Sequence, residues 1–349
     1  MKRFSILVCS IVSLLIVEQA IGATTSGASK ELFDKALQAQ EDGNFQRSIL
    51  MYSKAIALDP KFWEAFYNRG NLYLELEQYQ KAVEDFSKAI SLNPDDARIY
   101  NNRGYALREL GRSREALRDF TKAIKMGENS ADIFMNRASL YEELGDESAA
   151  LKDYSKVIEL DPNNADAYFF RGYLRAKRAQ IAEAINDYTE AISLNPDHSE
   201  AYFQRAGLLE KQGDLNAALS DYIRATEIDS ENQVAHFNMG VILEKLKRYE
   251  DAIKAFTVAI ELEEDDEKAY LGRAFCLAAL GRHREAIADY TRAIELEPED
   301  PEAYLNRGTS YRKVGNIRAF LEDYKKAATL GSEQTRKYLR SKGIGWPTE

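Results

Sequence analysis

Residues 63–96 read WEAFYNRGNLYLELEQYQKAVEDFSKAISLNPDD, and the pattern returns at 301–334 as PEAYLNRGTSYRKVGNIRAFLEDYKKAATLGSEQ. Between and before them the chain keeps the same frame. Blocks of 34 residues begin at 29, 63, 97, 131, 165, 199, 233, 267 and 301, with no insertion. A fixed period of this length marks stacked supersecondary units, each able to bury its apolar face only against its neighbours.

Each block reads as two helices. Numbering a block from 1 to 34, position 8 is Gly or Ala in every copy, from Ala36 to Gly308. Position 20 is Ala from Ala82 to Ala286, and position 27 is Ala in eight copies. Small residues at these places let two antiparallel helices approach closely. Position 24 is always aromatic, from Tyr52 to Tyr324, and position 4 is aromatic from Phe66 to Tyr304 except at His236. These rings are expected to fill the seams within and between blocks. Pro60, Pro94, Pro162, Pro196 and Pro298 all stand at position 32, where they stop the second helix. The fold class predicted is all-α, an α-solenoid of nine helix-turn-helix repeats over 29–334. A capping helix over 332–342, with Tyr338 and Leu339 on one side, would cover the last apolar face before a tail at 343–349.

The recurrence of small, aromatic and Pro positions resembles the tetratricopeptide repeat (TPR) family. That resemblance implies a right-handed superhelix in which positions 2, 5, 6, 9, 12 and 13 of each first helix face a concave groove. Two departures stand out. The first block has Ser48 at position 20 and Lys35 at position 7, the pattern of an atypical N-terminal repeat, and the last has Phe320 where Ala is usual.

Position 7 is Arg in seven blocks (Arg69, Arg103, Arg137, Arg171, Arg205, Arg273, Arg307). Position 23 is Asp in the same seven (Asp85, Asp119, Asp153, Asp187, Asp221, Asp289, Asp323). The other two blocks lack both, with Lys35 and Met51 in one and Met239 and Ala255 in the other. Joint loss predicts that each Arg contacts the Asp of its own block, in the bidentate geometry that suits guanidinium. A pair repeated down an array is scaffold, not seven acid–base sites.

The groove implied by the resemblance is where binding is expected. Position 5 supplies Tyr67, Phe169, Phe203 and Phe237, and position 9 adds Tyr105, Tyr173, Val241 and Phe275. Position 6 carries Asn68, Asn102, Asn136, Asn238 and Asn306, with Gln204 in a related role; side-chain amides suit the backbone of an extended peptide. Phe170 and Gly272 interrupt that row. Position 13 changes sign along the chain: Glu75, Glu109 and Glu143 are followed by Lys177, Lys211 and Lys245. Such polarity would orient a partner or favour antiparallel self-association. The Lys at position 5 needed by the carboxylate clamp of chaperone-binding family members is missing, which argues against chaperone C-terminal tails.

Residues 1–23, MKRFSILVCSIVSLLIVEQAIGA, have the tripartite pattern of a secretory signal peptide, with cleavage expected after Gly22 or Ala23 and a short linker over 24–28. The apolar run is shorter than the roughly 20 residues of a stable spanning helix, so no lasting membrane insertion is expected after cleavage. Beyond it, Cys276 is the single Cys and there is no Asn-x-Ser/Thr sequon, which fits a bacterial periplasm or secretion. The chain has 349 residues and a net charge of −10 with 20 Tyr and 15 Phe, which opposes both disorder and a nucleic-acid face. Three scattered His, no phosphate loop and no catalytic motif point away from an enzyme, a metal or a cofactor. The expected function is a non-catalytic scaffold holding a polypeptide, in envelope assembly. The alternatives are a holdase for unfolded exported chains and an accessory subunit of an envelope polysaccharide or secretion machine.

Overall fold

The computed structural model describes residues 26–347, so the predicted signal peptide at 1–23 lies outside the described residues. Those residues are helical throughout, joined by short turns, with no strand among them. They divide into two compact units, one ending at Asn163 and the other starting at Asn164.

In the first unit the helix pairs are 26–41 with Phe45–Leu58, Trp63–Glu75 with Tyr79–Leu92, Ala97–Glu109 with Ser113–Lys125, and Ala131–Glu143 with Glu147–Leu160. In the second they are Ala165–Lys177 with Ile181–Leu194, Ser199–Gln212 with Leu215–Ile228, Gln233–Lys245 with Tyr249–Leu262, Glu267–Ala279 with His283–Leu296, and Pro301–Lys313 with Ile317–Thr329. A last helix, Glu333–Ser341, follows.

The turns explain the boundaries. Asp96, Asn164, Asn232, Asp266 and Asp300 each accept a backbone N–H at the start of a first helix, and Asn44, Asp146, Asp214 and Asn316 do so for second helices. Ala28 occupies the equivalent capping place in the first repeat and has no such side chain. Residues 26–28 of the linker expected over 24–28 are part of the first helix, and 24–25 lie outside the described residues. Between the two helices of every repeat, position 15 is left-handed. Six copies are Gly (φ +69° to +86°), but Glu77, Ala179 and Lys247 adopt φ of +56° to +60° without that freedom.

The seam within each pair is built from positions 8, 20, 24 and 27, joined by positions 3 and 10 in every repeat but the first, where Glu31 and Gln38 are exposed. The position-27 residues, eight Ala and Val157, are fully buried, and so are Phe86, Phe120 and Phe256 at position 24. Each of these Phe faces Gly at position 8. A Cβ on Gly70, Gly104 or Gly240 would come within 2.9 Å of the ring. In the first repeat the buried Ser48 takes the position-20 place by donating its hydroxyl to the Ala36 carbonyl at 2.8 Å. In the last repeat, Phe320 packs on Tyr324 and Tyr338 with centroids 4.4 and 5.6 Å away, which ties the terminal helix to the array. Leu339 is fully buried there and Trp346 packs on the same cluster.

Candidate protein-binding face

The Arg and Asp of the polar pairs lie together in all seven repeats that carry them. Arg69 Nε and Nη2 donate to the two Asp85 carboxylate oxygens at 2.7 Å each, and Arg137 does the same to Asp153 at 2.7 and 2.8 Å. Arg103–Asp119, Arg171–Asp187, Arg205–Asp221, Arg273–Asp289 and Arg307–Asp323 repeat this geometry within 3.0 Å. The aromatic at position 4 lies one helical turn below each Arg, as in Arg69 over Phe66 at 5.8 Å and Arg307 over Tyr304 at 5.5 Å.

A third bond reaches back one repeat. Nη1 of Arg69, Arg103, Arg205, Arg273 and Arg307 donates to the hydroxyl of Ser53, Ser87, Thr189, Thr257 and Thr291 at 2.8 to 3.1 Å. These hydroxyls sit at position 25 of the preceding repeat, so the pair within a repeat also fastens it to its neighbour. Reading Arg with Asp alone misses this. The signal was present: position 25 is Ile223 directly ahead of Met239, the internal repeat lacking the Arg.

On the opposite side of the first helices, about 100° per residue places positions 2, 5, 9 and 13 together. The rings at position 5 are half-buried and rest on position 24 of the same repeat. Tyr67 on Phe86, Phe169 on Tyr188, Phe203 on Tyr222 and Phe237 on Phe256 have centroids 5.7 to 6.0 Å apart. Position 5 thus belongs in part to the seam. Position 9 is more open, with Tyr105 and Tyr173 37% exposed and Phe275 44% exposed.

The amides at position 6 are engaged in their own scaffold. Asn68 donates to the Glu64 carbonyl at 2.9 Å, and Asn102 to Asn71 Oδ1 at 2.8 Å. Asn136 accepts from Arg108, and Gln204 donates to Glu200 at 2.7 Å. Asn238 bonds Tyr222, offsetting part of the burial that pushes the Tyr222 phenol up to about 12. Asn306 is half-buried. An incoming peptide would compete with these bonds.

Position 13 is exposed in both units. In the first, Glu75 is joined by Glu109, paired with Arg108 at 2.6 Å, and by Glu143, which accepts from Ser113 at 2.7 Å. In the second, Lys177 stands over Tyr173 at 5.8 Å, Lys211 is exposed, and Lys245 pairs with Glu210 at 2.6 Å.

Two further reactive side chains, Cys276 and His198, serve the fold. Cys276 is fully buried at position 10, and burial pushes its thiol up to about 12. His198 caps a helix by accepting from Ala201 N–H through Nδ1. Burial raises the Glu244 carboxyl above the usual glutamate range, with Lys245 opposing.

Family models described as tetratricopeptide repeat match residues 63–96, 101–165, 171–233, 234–266 and 301–330, and one described as TPR repeat matches 41–76 and 276–315. No curated protein matches the chain. Among solved structures, the C-terminal part of a TPR repeat-containing protein from Cytophaga hutchinsonii is 20% identical, with a TM-score of 0.56 over 68% of this chain and 98% of that one. YrrB, described as a TPR protein with an unusual peptide-binding site, is 22% identical, with a TM-score of 0.49 over 53% of this chain and 95% of its own. MamA from Desulfovibrio magneticus RS-1, from residue 41 to its end, is 19% identical, with a TM-score of 0.45 over 48% and 94%. At 20% identity the likeness to the Cytophaga hutchinsonii structure is one of fold.

Proposed function

The chain belongs to the tetratricopeptide repeat family, and on that footing we propose that it is an exported, non-catalytic scaffold whose first-helix faces hold polypeptide segments of an envelope partner. Protein–protein interaction is the work such repeats do, while the envelope setting rests on the leader-like residues 1–23 and the single Cys276 beyond them. The observation that carries the reading is the exposure of Tyr105, Tyr173 and Phe275 on first-helix faces, beyond what the seams require. Half-buried Tyr67, Phe169, Phe203 and Phe237 form the floor beside them, and the amides of Asn68, Asn102, Asn136, Gln204, Asn238 and Asn306 give way to peptide backbone on binding. The acidic edge of residues 26–163 favours a basic segment, and the basic edge of 164–347 an acidic one.

The test is recovery of envelope proteins on the folded chain, alongside a variant with Tyr105, Tyr173 and Phe275 changed to Ser. These rings are exposed, so the variant keeps its fold, and it is expected to lose one or two specific partners. Equal recovery by both chains would move the binding surface elsewhere. Recovery of many unrelated unfolded chains would favour a holdase.

A further inference from the structure

The internal repeat that lacks the Arg–Asp pair, residues 233–266, carries a surface cleft of a different character. Elsewhere the space between the second helix of one repeat and the helix pair of the next is lined by charge, as where Arg103 and Asp119 meet Ser87, or Arg273 and Asp289 meet Thr257. At the same three places stand Ile223, Met239 and Ala255. Leu243 and Val258 complete an apolar floor, and the cleft has a volume of about 270 Å³. Its mouth is open, since Ile223 is 39% exposed. His236 replaces the position-4 ring that elsewhere underlies the missing Arg.

The rim is cationic. Arg248 donates to Asp251 Oδ2 at 2.8 Å and Lys254 to Asp251 Oδ1 at 3.3 Å, so one carboxylate serves two exposed cations. The result is an apolar hollow bordered by an excess positive charge, on a chain whose net charge is −10. Positions 4, 7 and 11, which form its first-helix wall, lie on the side of the helix opposite positions 2, 5, 9 and 13.

We propose that this cleft is a second docking site, separate from the first-helix face, that takes an apolar side chain of a partner polypeptide flanked by a carboxylate. The floor buries an aliphatic or aromatic side chain, and Arg248 and Lys254 receive the acidic neighbour by charge-assisted hydrogen bonds. The three substitutions account for the site. Loss of only the Arg would strand a buried Asp, whereas joint replacement by Ile, Met and Ala leaves an apolar surface with no unpaired charge.

The probe is acetyl-Glu-Leu-(4-fluorophenylalanyl)-Glu-amide, followed by broadening of its fluorine resonance as the full chain is added. Three comparisons decide the matter. The Ile223→Thr, Met239→Arg, Ala255→Asp variant rebuilds the motif of the neighbouring repeats and is expected to abolish the broadening at unchanged helicity. Arg248→Gln with Lys254→Gln, both at exposed positions, should weaken binding about tenfold, the worth of one charge-assisted bond at an open rim. The same peptide with Gln for both Glu should weaken similarly. Equal broadening by the rebuilt chain, or equal affinity of the Gln peptide, would overturn the site. Decanoate binding without peptide binding would assign the cleft to a free amphiphile instead. A dimer that the rebuilt variant abolishes, with no peptide bound, would assign it to a second copy.

Discussion

The guanidinium–carboxylate pairs show how a single side chain specifies alignment without adding much net stability. Arg137 and Asp153 are largely removed from water, so their attraction is offset by lost hydration. Removing one partner leaves the other buried and unpaired. Asp153→Ala is expected to cost ~3 kcal/mol in denaturant unfolding, more than Arg137→Met with Asp153→Leu together, which imitates the natural Met239–Ala255 solution. A double variant as unstable as the single one would show that the pair itself supplies the stability. Backbone strain gives a gain instead of a loss. Ala179 sits at φ +58° where six repeats have Gly. Ala179→Gly should stabilise by about 0.5–1 kcal/mol, since relief of left-handed strain exceeds the entropy glycine adds to the unfolded chain. A shift of the urea midpoint to lower concentration would refute this. Glu244 brings in pH. Its carboxyl is raised by burial, so the folded chain holds that proton more tightly and loses stability as pH rises through the folded value. Glu244→Gln should therefore raise Tm at pH 7, and the difference should close as pH falls toward the ordinary glutamate value of 4.5. An equal gain at pH 3 and pH 7 would assign the effect to packing.

At the scale of the helix pair, complementarity runs between positions 8 and 24. Phe86, Phe120 and Phe256 all face Gly; Tyr52, Tyr154, Tyr222 and Tyr290 face Ala, and Tyr188 and Tyr324 face Gly172 and Gly308, so Ala occurs only opposite Tyr. Gly70→Ala would place a methyl 2.7 Å from Phe86 Cε1 and is expected to cost ~1–3 kcal/mol. The double variant with Phe86→Tyr tests whether the pairing itself matters, by recovering part of that loss in a thermal melt. The helix pairs were legible in the sequence because their determinants recur in register. Small residues at 8, 20 and 27 and rings at 24 each answer one local steric need. The face was less legible. Position 5 looks like a second apolar stripe, but Phe169, Phe203 and Phe237 lean back onto the seam, and a wheel cannot tell a leaning ring from an open one. The position-6 amides look like a ladder until Asn68 and Asn102 are seen bonded to their own scaffold. The Ser or Thr at position 25 escaped notice for the opposite reason. A hydroxyl on a helix is unremarked until its contact across 16 residues is known.

At the scale of the whole array, each repeat is held by its own pairing and by its neighbours, so stability should be local and transmitted in steps. Cys276 offers a way to measure this within residues 164–347. Its thiol is fully buried and pushed up to about 12, so it reacts with an aromatic disulfide reagent only when its repeat opens. In a Cys9→Ser chain it is the single thiol, and its labelling rate reports that opening alone. Two core deletions of equal chemistry then separate the possibilities. Leu339→Ala loosens the terminal helix, with one repeat between it and that of Cys276, and Leu174→Ala opens a cavity with two repeats between; both side chains are fully buried. Each deletion costs ~2–5 kcal/mol in its own neighbourhood. If opening proceeds from the nearer end, Leu339→Ala speeds labelling by at least about tenfold, the effect of roughly 1.4 kcal/mol felt at Cys276, and Leu174→Ala changes it far less. Equal acceleration by the two would mean that these repeats open all-or-none, and that a lesion anywhere in them is felt at every face they present.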